Sequence, residues 1–88
     1  MRAMRKVTIY TKPYCPYCIA ALDLLERKGV VVHEIAAAHD PDKRQEMVRR
    51  SGRNTFPQIF IGGKHIGGCD EMMALERAGK LDALLTAA

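Results

Sequence analysis

The sequence predicts an α/β fold in which helices cover both faces of a four-stranded mixed sheet. Three observations lead there. β-rich runs alternate with segments of helical period in the order strand, helix, strand, helix; a Gly-Gly pair then joins two short apolar runs; and a last helical segment follows. A right-handed crossover between the first two strands makes them parallel, and the hairpin completes the sheet.

Each element has its own signals. Val7-Thr8-Ile9-Tyr10 is a short β-rich run closed by the polar, proline-containing Thr11-Lys12-Pro13, and forms the first strand. Pro16 then suits the first position of a helix, where its missing N–H costs nothing, and this puts Cys15 at the N-cap. Ile19, Leu22 and Leu25 make the apolar stripe of that helix with Ala21 and Leu24 beside it, and Arg27-Lys28-Gly29 ends it. The run Val30-Val31-Val32-His33-Glu34-Ile35 opens without a polar break, which predicts an inner strand covered on both faces and parallel to the first. Asp40-Pro41-Asp42 supplies a cap, a first-turn proline and a first-turn acid, so a second helix runs to about Ser51 and stops at Gly52. Gln58 to Ile61 and Lys64 to Ile66 flank Gly62-Gly63 as a hairpin whose two-residue turn needs positive φ. A third helix opens near Cys69-Asp70 and closes at Gly79, and the tail from Leu81 to Leu85 packs back.

Composition narrows the class. The 88 residues fit one domain spanning 1–88, with 48% hydrophobic and 27% charged residues, as in ordinary globular chains. No apolar run approaches the roughly 20 residues of a membrane-spanning helix, and no hydrophobic region follows the charges of residues 1–6. The expectation is a cytoplasmic protein with no membrane association. Three cysteines are an odd count, which argues against a disulfide framework that pairs them all. The net charge is +4, with a basic cluster at Lys43, Arg44, Arg49, Arg50 and Arg53. That cluster lacks the interleaved aromatics or reading helix of a nucleic-acid site, so no nucleic-acid partner is expected. It is a solvated helix face or an attractor of a small anion.

The chemistry concentrates at Cys15 and Cys18. Side chains three apart on a helix are neighbours, with Cα atoms at roughly the 5–6 Å a disulfide prefers. The cap position makes the sulfurs unequal. A Cys15 thiolate can accept the open amides of Tyr17 and Cys18 at the positive end of the helix dipole, and Lys12 adds a cation; thiols in such settings titrate at roughly 3.5–7.5. Cys18 lies inside the first turn, nearer the core. Cys15 is therefore the expected nucleophile and Cys18 the resolving thiol. Zinc is the rival for such a pair, but a second pair is missing, and Cys69, His33, His39 and His65 share no ligand spacing. No metal is expected. A C-x-x-C pair after the first strand of a βαβ pattern is a redox signal.

At Lys12, Cys15-Pro16-Tyr17-Cys18, Thr55-Phe56-Pro57 and Gly67-Gly68-Cys69-Asp70, the sequence resembles the small bacterial dithiol glutaredoxins over nearly its whole length. The resemblance implies a thioredoxin fold, glutathione as co-substrate, and a cis bond between Phe56 and Pro57. It implies that the Phe56 backbone pairs with the glutathione cysteine like an added strand. The γ-glutamyl carboxylate would rest on the amides of Cys69 and Asp70, and Asp70 would take the ammonium. Lys12 and Arg44 match positions that meet the glycyl carboxylate, and Tyr17 would wall the groove. Two departures stand out: Phe56 where valine is commoner, and Glu71 where a second aspartate is common.

The resemblance further implies a monomer that reduces glutathionylated or disulfide-containing proteins, with electron donation to ribonucleotide reductase among the family's activities. Two rivals come with it. A glutaredoxin-like thioredoxin would be served by a flavoprotein reductase and would not need Asp70 or Lys12. An iron–sulfur carrier would ligate a cluster through Cys15 and glutathione between two monomers; Pro16 argues against it, because cluster-carrying relatives more often have glycine or serine there.

Overall fold

The computed structural model describes residues 4–86. In chain order it contains β1 (Val7–Thr11), α1 (Pro16–Arg27), β2 (Val32–Ala36), α2 (Pro41–Ser51), β3 (Gln58–Ile61), β4 (Lys64–Gly67), α3 (Cys69–Arg77) and α4 (Leu81–Leu85). The sheet order is β2-β1-β3-β4. β1 pairs parallel with β2 and antiparallel with β3, and β3 pairs antiparallel with β4. This is the mixed sheet the sequence predicts, with the arrangement of a thioredoxin fold.

The two-residue period of β1 divides the core into two layers. Val7 and Ile9 point to one side, where they meet Ala21, Leu24 and Leu25 of α1, Met72 of α3, and Leu81 and Leu85 of α4. Tyr10 points to the other, against Phe60, Ala37 and Met47 of α2. Helices therefore lie on both faces.

The caps follow from their residues. The Asp40 carboxylate accepts from the amides of Asp42 (3.1 Å) and Lys43 (3.2 Å), holding two of the open N–H groups of α2. At the far end Gly52 takes φ +73° and returns its N–H to the Val48 carbonyl at 2.8 Å, a left-handed stop that costs glycine nothing. Gly62 and Gly63, at φ +56° and +85°, make the hairpin turn. The tail folds back as α4, where the Leu85 carbonyl accepts from the Arg5 amide at 2.7 Å.

Two expectations are corrected. β2 is an edge strand rather than an inner one, and it begins only at Val32, with Val31 72% exposed before it. The valine run is apolar because Val30 and Val32 pack on the edge of the α1 layer, while His33 and Glu34 face water. On α1 the buried stripe is Cys18, Ala21, Leu24 and Leu25, and Ile19 is 63% exposed. Once the N-cap fixes Cys18 inward, the next residue is turned about 100° around the helix, toward solvent.

Candidate active site

The first turn of α1 carries the cysteine pair. β1 ends at Thr11, and Tyr14, in the left-handed region at φ +56° and almost fully exposed, turns the chain into the helix. Nothing in the sequence signals that conformation, since left-handed backbone normally favours Gly or Asn. Cys15 is the N-cap in extended conformation, and Pro16 holds the first helical position. The Cys18 amide donates to the Cys15 sulfur at 3.3 Å. This is one of the two amides expected there; the Tyr17 amide makes no such bond.

Both thiols are free and both are buried, so depth does not separate them. Environment does. Burial first, and then the hydrogen bond with Cys15, push the Cys18 thiol up to about 12, against an opposing pull from the amide and charge of Lys12. Lys12 thus bears on the resolving position, and its side chain is exposed.

A pocket of about 160 Å³ is lined by Tyr17, Phe56, Pro57, Cys69 and Asp70, so five of the residues assigned to ligand binding converge. The Phe56–Pro57 peptide bond is cis. Asp70 is exposed at the first turn of α3, and its neighbours Gly68, Cys69 and Glu71 line the same space. Cys69 is buried, and burial, then the charge of Asp70, raises its thiol above the ordinary value.

Arg44 is placed differently. It lines a second groove of about 580 Å³ with Pro41, Gln45, Val48 and Arg49 of α2 and with Asn54 beyond the end of that helix. Its Nε donates to the Asn54 side chain at 2.9 Å and its guanidinium lies 5.7 Å from the Phe56 ring centre. Arg44 therefore supports the back of Phe56 rather than lining the pocket with Tyr17.

Arg53, Thr55, Gly68 and Glu71 complete the pocket. Glu71 accepts the Gly68 amide at 3.0 Å and pairs with the Arg53 guanidinium, tying the segment before Pro57 to the start of α3. The Gly68 amide, then Arg53, holds the Glu71 carboxyl below its ordinary range. In sequence Arg53 is one member of a basic cluster; its position two residues before Thr55-Phe56-Pro57 is the signal that singles it out. Among the described residues, no group of three or more His, Cys, Asp or Glu converges as a metal site, and no helix is long and apolar enough to cross a membrane.

Known proteins share this arrangement. The family described as Glutaredoxin matches residues 7–66. A glutaredoxin of Pseudomonas aeruginosa is 58% identical over 84 residues, covering 96% of this chain and 100% of that protein. The solution structure of glutaredoxin from Brucella melitensis has a TM-score of 0.81 at 60% identity, over 94% of this chain and 90% of that one. A crystal structure of a buckwheat glutaredoxin–glutathione complex also has a TM-score of 0.81, at 35% identity, over 90% and 74% of the two chains. With its fold, its paired thiols and these relatives in agreement, the chain belongs to the glutaredoxin family of thiol–disulfide oxidoreductases.

Proposed function

We propose that the protein reduces protein–glutathione mixed disulfides and protein disulfides, with glutathione as the electron donor, acting as a cytoplasmic monomer. The observation that carries this reading is the Cys15 sulfur at the open end of α1, accepting the Cys18 amide on the same turn as Tyr17, which lines a pocket with Phe56, Pro57, Cys69 and Asp70. Negative charge on that sulfur gains from the amide and from the helix dipole.

Cys15 attacks the glutathione sulfur of a mixed disulfide. The old S–S bond breaks, the protein sulfur leaves as a thiolate and takes up a proton, and glutathione remains on Cys15. A second glutathione thiolate attacks the bound glutathione sulfur, which releases oxidised glutathione and restores Cys15. With a protein disulfide, Cys15 forms a mixed disulfide with the substrate, and Cys18 attacks Cys15 to expel the second protein thiol. Two glutathiones then reduce the Cys15–Cys18 bond. Glutaredoxin couples lie near −200 to −230 mV, within reach of the cytosolic glutathione pool.

The γ-glutamyl end sits at the amides of Cys69 and Asp70, with Asp70 on its ammonium, and Tyr17, Phe56 and Pro57 wall the peptide. Lys12 and Arg44 flank the glycyl end from outside the pocket. The relative solved with glutathione supports this choice of ligand.

The test is turnover of a small glutathione mixed disulfide coupled to glutathione reductase. Cys18→Ser keeps this activity and loses reduction of protein disulfides, whereas Cys15→Ser loses both. Turnover only with thioredoxin reductase would refute the assignment.

A further inference from the structure

Behind the pocket wall lies a chain of hydrogen bonds whose direction is fixed by chemistry alone. Gln58, the first residue of β3, is fully buried. Its Nε2 lies 3.1 Å from the Thr55 carbonyl oxygen and 3.0 Å from Thr55 Oγ1. Its Oε1 lies 2.7 Å from Nε2 of His65, on the outer strand β4.

A carbonyl oxygen can only accept, so the nitrogen of the Gln58 amide must face Thr55 and its oxygen must face His65. That oxygen also only accepts, so His65 carries its hydrogen on Nε2 in either protonation state. Gln58 spends one N–H on the Thr55 carbonyl and the other on the Thr55 hydroxyl. The hydroxyl oxygen is thereby an acceptor, and its own proton is left to donate. Among the described residues that proton has no acceptor within the protein, and Thr55 lines the pocket beside Phe56 and Pro57.

We infer that Gln58 and His65 are positioning residues that set the Thr55 hydroxyl to donate into the pocket, toward a carbonyl or carboxylate oxygen of the bound glutathione. This rests on the glutathione reading above. Each donor in the line His65, Gln58, Thr55 polarises the next. The same amide holds the Thr55 carbonyl, which sets the approach of the chain to Phe56. Thr55 touches the ligand; Gln58 and His65 act through it.

The test compares wild type with Thr55→Val, Thr55→Ser, Gln58→Met and the Thr55→Val/Gln58→Met double variant. Two mixed disulfides of the same small thiol serve as substrates, one with glutathione and one with cysteamine, which has no oxygen to accept the hydrogen bond. Thr55→Val raises KM for the glutathione substrate about three- to tenfold, as loss of one hydrogen bond predicts, with kcat changed less than about twofold. The second-order rate with the cysteamine substrate stays at the wild-type value, and Thr55→Ser restores the KM. Gln58→Met reproduces the rise in KM, and the double variant is no worse than the poorer single one, because both act along one line.

Should Gln58→Met fail to fold, His65→Phe takes its place, with a KM rise of at least about twofold. An unchanged KM in Thr55→Val, equal losses on both substrates, multiplying effects in the double variant, or an indifferent His65→Phe would each overturn the inference. The reading it rests on fails separately: wild type would then show no saturable turnover of the glutathione substrate at all.

Discussion

Cys15 and Cys18 are nearly equal in burial and unequal in environment. Cys15 accepts an amide, while Cys18 is buried and its S–H is engaged by Cys15, which raises it to about 12. A thiol pushed up in this way stays protonated near neutral pH, and we expect Cys18 to attack only once Cys15 is in a disulfide. The expected outcome is that limiting iodoacetamide near pH 7 alkylates Cys15 and leaves Cys18 unlabelled, as read from peptide masses. Labelling of Cys18 ahead of Cys15 would reverse the assignment. This asymmetry is legible in the sequence because an N-cap is local: Pro16 and the three-residue spacing are enough. The Arg53–Glu71 pair and the Thr55–Gln58–His65 line are not legible. They join residues from different elements, and only the fold brings those elements together.

At the scale of the element, α3 shows how one substitution within the family pattern is absorbed. Glu71 is the third residue of the helix, and its longer arm reaches back to the Gly68 amide, the reciprocal half of a capping box, while holding Arg53. The Gly68 amide is thereby used. Because the Glu71 carboxyl is held below its ordinary range, its contribution to stability is complete above the unfolded value near 4.3 and is lost as pH falls through the lower folded value. Glu71→Gln therefore lowers Tm at neutral pH and converges with wild type in acid, once the pH is below the folded value. The side chain is 39% exposed, so screening limits the effect to about 0.5–1 kcal/mol, or roughly 2–8 °C. Thermal melts of both proteins at the two pH values check this, and a constant offset would show that the charge plays no part. The helix and hairpin boundaries follow closely from caps and glycines. β2 is the failure: an apolar run records that a strand touches the core, but not which neighbours pair with it, and Val32–Ala36 has a partner on one side only.

For the molecule as a whole, topology was readable because each connection is short and the crossover has one permitted hand. The site was readable only in outline, since its pocket draws on α1, the segment before β3, and the start of α3. What holds these in register is the core under them, and α4 closes it. Leu81 and Leu85 are fully buried against Val7, Ile9, Leu25 and Met72, and the Leu85 carbonyl is tied to the Arg5 amide. An 88-residue chain has little stability to spare. Leu85→Ala removes buried methyl groups and leaves a cavity, at a cost of about 2–5 kcal/mol, which for this length lowers Tm by about 8–40 °C. Leu85 bonds to the chain ahead of β1, whereas Cys15 follows the other end of that strand. The cavity therefore opens away from the chemistry, and well below its transition the folded variant turns over the glutathione substrate at the wild-type rate. Circular dichroism melts and the coupled assay measure the two effects separately. A wild-type Tm would mean that α4 does not support the core, and lost activity with Tm unchanged would mean that α4 reaches the site by a route other than packing.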